Sequence, residues 1–466
     1  MAGSVRDDGS PSTSSLHFPW MPLSPELGLP YTWLRGMESE QRGLYLLKLL
    51  EACANHVAVG SMDNTNFSLE QISHLASTDG DTTQRIAAYF TQAFADRMLK
   101  RWRGLHKALN STKISSLKEE ISVRRLFYEL CPFLRLAHEI TNQAIIEAME
   151  GEKMVHIIDL YSSEPEQWIN LLHTLSHRPE GPPHLRITGI HEHKEVLDQM
   201  ALLLKEEADK LDIPFRFNPV VSKVEDLDLE TLRVNTGEAL AVSSVLQLHS
   251  LLATDEEVLR SSSPSVSKNM QKVFHMDPRT FREFLEKDPV MMYMANTDPT
   301  STLSPLSLSA SPKMGSFLTA LWGLSPKLMV ITEQEANHGS TLIERVRGAL
   351  NFYAALFDSL ESVAPRASIE RQKVEKMLFG EEIKNIIACE GAERKERHET
   401  LEKWILRLEL AGFGRVPLSY HGRLQACRLL QGFGYNGYNI KEENGCLVIC
   451  WQECPLFSVS AWRLRR

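Results

Sequence analysis

The sequence predicts an α/β fold: a mostly parallel sheet, a helical block before it and an antiparallel hairpin at the C-terminal end. Three observations carry this. Leucines at helical spacing fill residues 39–150, short apolar runs then alternate with helical stretches, and two β runs close the chain. Strands alternating with helices imply a parallel sheet covered on both faces, joined by right-handed crossovers.

Residues 1–38 read as a disordered tail. Gly3 to Ser15 is rich in Ser, Gly, Asp and Thr, and Pro19, Pro22, Pro25 and Pro30 follow. Such a segment has too little apolar surface to offset the entropy of ordering. A docking motif in Phe18-Pro19-Trp20-Met21 is the alternative reading.

Residues 39–150 form the helical cap. Leu44, Leu47, Leu50 and Ala54 make a stripe that Leu46 and Leu49 widen, and Leu69, Ile72 and Leu75 repeat the spacing. Asp81 with Gln84 resembles a capping box ahead of Ile86, Phe90, Ala93 and Phe94. Pro132 ends a helix through Leu126, Phe127 and Leu130, and Leu136, Ile140, Ala144 and Ile145 mark the next. So leucine-rich a block needs something to pack on.

The rhythm changes at residue 153, and 151–466 read as the sheet-bearing core. Strands are expected at 154–159, 185–190, 215–221, 239–244 and 328–332. Helices are expected around 168–175 and over 195–211 and 341–360. Residues 253–313 interrupt the order as a partly disordered insertion, with serine-rich stretches either side of a short helix at Phe281 to Leu285. The runs 445–451 and 456–462, joined through 452–455, predict the hairpin on the sheet's edge.

Composition narrows the function. The 466 residues hold 51 Lys and Arg against 60 Asp and Glu, a net charge of −9. That balance argues against a general phosphate-coating DNA binder, whose affinity comes from clustered cations. Seven scattered cysteines argue against a disulfide framework and for a reducing compartment. No apolar run approaches the ~18 residues of a membrane helix, and no secretory signal pattern opens the chain. A soluble intracellular protein is expected.

The first strand–loop–helix unit is where a nucleotide-binding fold places its glycine turn, because backbone must approach the cofactor closely. The loop Asp159-Leu-Tyr-Ser-Ser-Glu-Pro-Glu-Gln-Trp168 contains no glycine, and Glu164 and Glu166 would repel phosphate. The second strand ends in His191 with Glu192 one place later, not in an acid placed to grip a ribose. Asp159 reads as a strand-end or capping carboxylate. His191 with His193 offers too few metal ligands, and Cys446, Cys450 and Cys454 read as packed side chains. Glu333-Gln-Glu-Ala-Asn-His338 follows the fifth strand, so it is either a polar site or a set of loop and cap partners. No nucleophile elbow stands out. The expectation is a protein with no catalytic, cofactor-binding or metal residues.

Two motifs suit partner binding. Leu46, Leu49 and Leu50, and Leu248, Leu251 and Leu252, both read Leu-x-x-Leu-Leu, three leucines on one helical face. They are the interaction candidates; the competing reading is core.

The order of segments resembles the plant GRAS family. Val155, His156, Ile157, Ile158 and Asp159 match its VHIID motif between leucine-rich stretches at about 44–75 and 197–252. Phe352 and Tyr353, the run 393–399 containing Arg397 and Glu399, and Ser460, Ala461 and Trp462 resemble its PFYRE and SAW regions. The resemblance implies a methyltransferase-like Rossmann core with a helical cap, these motif residues being structural. It implies a nuclear transcriptional coregulator that is not an enzyme and that acts in gibberellin signalling and root development. The implied partners are DELLA-type and other GRAS proteins and C2H2 zinc-finger transcription factors. DNA would be reached indirectly through them, and homo- or heterodimers are left open. The tail lacks the DELLA-type acidic motif. One departure stands out: Gly380-Glu381-Glu382 occupies a place where many relatives carry Gly-Arg-Glu. The alternative is an S-adenosylmethionine-dependent small-molecule methyltransferase; a third reading is direct DNA binding through a local cationic surface. No compact basic import signal is visible, and Arg463-Leu-Arg-Arg466 reads as a solvated end.

Overall fold

The computed structural model describes residues 38–111, 116–253, 311–433 and 436–465. The expected tail up to residue 37 and most of the insertion, including its short helix, lie outside the described residues.

Six helices open the described residues: α1 (Ser39–Ala58), α2 (Met62–Leu75), α3 (Thr82–Leu99), α4 (Arg103–Asn110), α5 (Leu117–Leu130) and α6 (Phe133–Ala148). Their ends follow local chemistry. Asp81 accepts from the Gln84 N–H at 3.0 Å, and Gln84 Oε1 accepts from the Asp81 N–H at 3.2 Å, the expected capping box. Ser116 and Glu119 do the same for α5, and Pro132 separates α5 from α6.

Then follow β1 (Met154–Asp159), α7 (Pro165–Ser176), β2 (His184–His191), α8 (Lys194–Lys210), β3 (Phe215–Val221), β4 (Ala239–Val245), α9 (Pro312–Gly323), β5 (Leu328–Gln334) and α10 (Leu342–Val363). The chain ends with α11 (Ile369–Val374), α12 (Gly380–Ala388), α13 (Leu401–Leu410), β6 (Phe413–Val416), α14 (Tyr420–Phe433), β7 (Tyr438–Glu443), β8 (Cys446–Trp451) and β9 (Cys454–Leu464). Nine strands form one sheet in the order β3-β2-β1-β4-β5-β9-β8-β7, with β6 also on β9. The first five are parallel, and β9 joins β5 antiparallel with Ile331 opposite Ser460. The fold is therefore α/β with a mostly parallel sheet, and the expected hairpin is β8–β9.

Two strands were not legible. β6 has only four residues, and β7 carries Asn439 and Lys441 and is exposed at alternate positions. The second Leu-x-x-Leu-Leu lies on a 3₁₀ turn at Leu248–Leu252 rather than an α-helix. The insertion also ends earlier than expected: Ser311 donates to the Leu251 carbonyl at 2.7 Å, and Pro312 and Lys313 already belong to α9.

The sheet divides two apolar cores. Val155, Ile157, Ile187 and Val330 face one, shared with α1, α3, α6 and α10; Ile158, Ile190, Val242 and Ile331 face the other, with α9 and α13. Burial on both faces explains the unbroken apolar strands. A late segment returns to the early helices, for α12 packs on α3 and α10. Gly380 allows the approach: a Cβ there would meet the Tyr89 ring at 2.9 Å and the Glu375 carbonyl at 3.2 Å. A buried ion cluster fixes the contact, with Arg85 Nε 3.1 Å from Glu375 and its terminal nitrogen 3.1 Å from Glu361.

Candidate functional site

Strand order reverses between β1 and β4, and the carboxyl ends of parallel strands at such a point are where α/β sheets bind ligands. The residues there decide what fits.

At the β1 end the chain fills the space with itself. Asp159 is buried and accepts from Ser162 Oγ at 2.7 Å, Trp168 Nε1 at 2.7 Å and the Tyr161 N–H at 3.2 Å. Burial pushes its carboxyl above the ordinary range despite these donors. The Tyr161 ring lies 5.0 Å from the buried His191 ring, and the Arg124 guanidinium sits 5.6 Å above it. Gly189 on β2 leaves no opening, since a Cβ there would lie 2.5 Å from both Phe217 and Ser162. His191 Nδ1 accepts from the His193 N–H at 3.0 Å, and Glu192 pairs with Lys223 at 3.2 Å. Two cavities remain, of about 60 and 170 Å³, which share Arg124, Tyr161, Gln247, Gln334 and Glu382. Both fall short of the ~300 Å³ at which small-molecule sites begin.

At the β5 end a polar cluster gathers from three segments. Glu333 Oε1 accepts from the Leu248 N–H at 2.8 Å, and its Oε2 lies 3.0 Å from His249 Nδ1 and 3.7 Å from His398 Nδ1. The opposite ring nitrogens face Glu396 Oε2, His398 Nε2 at 2.8 Å and His249 Nε2 at 3.6 Å. The two rings lie 3.9 Å apart, and His338 meets His398 edge-on at 5.6 Å. Burial alone would push Glu333 up, but His249 and His398 hold it down at about 2. His398 is raised to about 9 by Glu333 and Glu396 against the opposing effect of burial. Burial drops His338 well below the usual imidazole range. Two other members of the 333–338 run hold loop contacts: Glu335 accepts from the Leu401 N–H at 2.8 Å, and Lys403 donates to Asn337 at 2.9 Å.

A third cavity, of about 460 Å³, opens beside the start of α10 and is lined by Arg97, Arg345, Arg394, Arg397, Glu390 and Glu399 among others. Arg397 donates to the carbonyls of Arg394 and Gly391, and Glu399 is held by Arg407 at 2.8 Å.

The interaction candidates are buried. Leu46, Leu49, Leu50, Leu248, Leu251 and Leu252 are between 0 and 8% exposed. All six belong to the two cores, Leu46, Leu49 and Leu50 from α1 and Leu248, Leu251 and Leu252 from the 3₁₀ turn, so as folded they present no groove-filling face. The motif residues are likewise interior. Val155, Ile157 and Ile158 fill the middle of β1, and His156 Nε2 lies 2.9 Å from Thr188 Oγ1. Phe352 packs on Phe457, Tyr353 donates to Glu382 at 2.8 Å, Ala461 pairs with Val330, and Trp462 donates to Ser460 at 2.9 Å. Glu381 faces solvent and pairs with Lys384 at 3.3 Å. Sequence reasoning missed His249, Glu396 and His398 because they lie on two segments distant from each other and from Glu333; the local signal was acid-and-histidine runs after β5 and before α13.

Among the described residues no helix is long and apolar enough to cross a membrane. The GRAS domain family model matches residues 46–463. The chain is 58% identical over 468 residues to Scarecrow-like protein 3 of Arabidopsis thaliana, covering 98% of this chain and 95% of that protein. It is 32% identical to the DELLA protein GAI1 of Vitis vinifera, covering 92% of this chain and 63% of that one. The crystal structure of SCL7 from Oryza sativa superposes with a TM-score of 0.69 at 28% identity, covering 90% of this chain and 99% of that one. Matched along nearly its whole described length, the chain belongs to the GRAS domain family.

Proposed function

We propose that this protein is a plant nuclear transcriptional regulator that works by protein contact, with DELLA-type and other GRAS proteins and C2H2 zinc-finger factors as partners, in gibberellin signalling and root development. One observation carries the reading. The crevice where a nucleotide fold would hold its cofactor is occupied by Tyr161, His191 and Arg124 of the chain itself. Cavities of about 60 and 170 Å³ there argue against the methyl-transfer alternative. The fold then serves as a rigid platform, and partners carry the DNA-reading elements, consistent with the net charge of −9.

With the six leucines in the core, partner contact needs another surface. Helix α4 buries none of its residues, and Trp102, Leu105 and Leu109 are exposed beside Arg101, Arg103 and Lys107. An apolar strip with a basic flank suits an acidic, amphipathic partner segment. The test is capture of purified DELLA-type and zinc-finger partners by the full chain and by a Trp102→Asp, Leu105→Asp, Leu109→Asp variant. Capture by the parent and at least tenfold weaker capture by the folded variant is expected. Two results would overturn the reading: DNA binding without a partner at physiological salt, or a clear rise in melting temperature with S-adenosylmethionine.

A further inference from the structure

We infer that His249, Glu333 and His398 form a binding site for one first-row divalent metal ion of the zinc class. One ligand atom from each of His249, Glu333 and His398 lies within 4.8 Å of the other two, and all three residues are buried. Metal–ligand distances near 2.1 Å put tetrahedral ligands roughly 3.4 Å apart. The two nitrogen-to-Oε2 distances, 3.0 and 3.7 Å, straddle that value.

Two further features point to a ligand rather than to a closed hydrogen-bond cluster. First, His398 Nδ1 is buried and has no hydrogen-bond partner, for 3.7 Å to Glu333 is too long. A buried polar atom left unpaired costs free energy unless something else satisfies it. Second, each ring turns its other nitrogen toward Glu396. An outer carboxylate that orients a histidine through its second nitrogen is the usual support of a metal site.

The ligands come from the 3₁₀ turn after β4, the end of β5 and the segment before α13. A metal would tie these three segments together at the sheet's carboxyl edge. The cavity of about 170 Å³ is lined by His249, His398 and Glu396, leaving room for a fourth, solvent ligand. Two imidazoles and one carboxylate suit zinc, cobalt or ferrous iron better than magnesium or calcium.

The experiment uses the full chain, freed of any affinity histidines, treated with chelator and titrated with Co²⁺. One equivalent per chain should bind with visible ligand-field bands, and Zn²⁺ should displace it. Glu396→Gln should weaken binding about 10- to 100-fold, and the His249→Gln, His398→Gln pair should abolish it. X-ray absorption of the zinc-loaded parent should give two imidazoles and no sulfur, a readout that survives if a variant fails to fold. Uptake below one equivalent by the folded parent, uptake unchanged in a folded variant, or a sulfur shell would each overturn the site.

Discussion

Two strand ends on the same edge of the sheet carry a buried acid, and they are treated oppositely. At the end of β1, Asp159 has three donors around it, from Ser162, Trp168 and the backbone of Tyr161. At the end of β5, Glu333 faces two histidines, one of which keeps a buried nitrogen without a partner. The first arrangement is complete by itself: the acid is a strut that holds its loop closed. The second is organised by four ionisable side chains and is not saturated. Position in the fold is thus a poor guide to use; the count of satisfied donors and acceptors is a better one.

The largest effects should come from breaking the saturated end. Asp159→Ala strands the Trp168 indole N–H, the Ser162 hydroxyl and one backbone N–H in the interior. At 1–3 kcal/mol for each of the three orphans, a loss of about 3–9 kcal/mol is expected in urea unfolding. A loss under about 1 kcal/mol would mean that the loop simply reopens to water. Next comes the cap. Leu50→Ala removes a fully buried side chain and should cost about 2–5 kcal/mol. Leu44→Ala, on the same helix at 57% exposure, should stay within about 0.5 kcal/mol. Equal effects would return the Leu46, Leu49 and Leu50 triplet to the surface.

Much of the fold was legible because periodicity records burial. Four of the five parallel strands, β1, β2, β4 and β5, are buried on both faces and stand out as apolar runs such as Val155-His-Ile-Ile158, and α1 and α3 announce themselves by spacing and by the Asp81–Gln84 cap. β7 escaped notice because an edge strand with solvent on one side carries polar residues. The return of α12 to the cap was invisible too, since nothing local in Gly380 or Arg85 names a partner some 290 positions away. The site divides in the same way. The absence of glycine after β1 could be read directly, and the ring packing of Tyr161 on His191 agrees with it. The histidine–glutamate cluster could not be read, for it depends on three distant segments meeting, the 3₁₀ turn after β4, the end of β5 and the stretch before α13.

The close packing over β1 can be tested with one methyl group. Gly189→Ala puts a Cβ 2.5 Å from Phe217 and Ser162, so one of them must move. A cost of about 1–3 kcal/mol is expected; a neutral result would show that the crevice has slack a ligand could use.

The smallest expected effect concerns a third kind of acid, neither saturated in the core nor clustered with histidines. Glu361 sits at the cap's edge, where burial would raise it but Thr82, Arg366 and Arg85 hold it down at about 2. A carboxyl depressed in the folded state stabilises above its unfolded value, near 4.5, and that contribution fades as pH falls toward 2. Because the side chain is about a quarter exposed, solvent screening should cut the contribution to about 1 kcal/mol. Glu361→Gln should therefore lower stability by about that much at pH 7 and by progressively less between pH 4.5 and pH 2, as followed by urea midpoints at each pH. A difference that persists unchanged at the acid end would mean that Glu361 acts through packing rather than charge, and that the ion cluster with Arg85 is held by Glu375 alone.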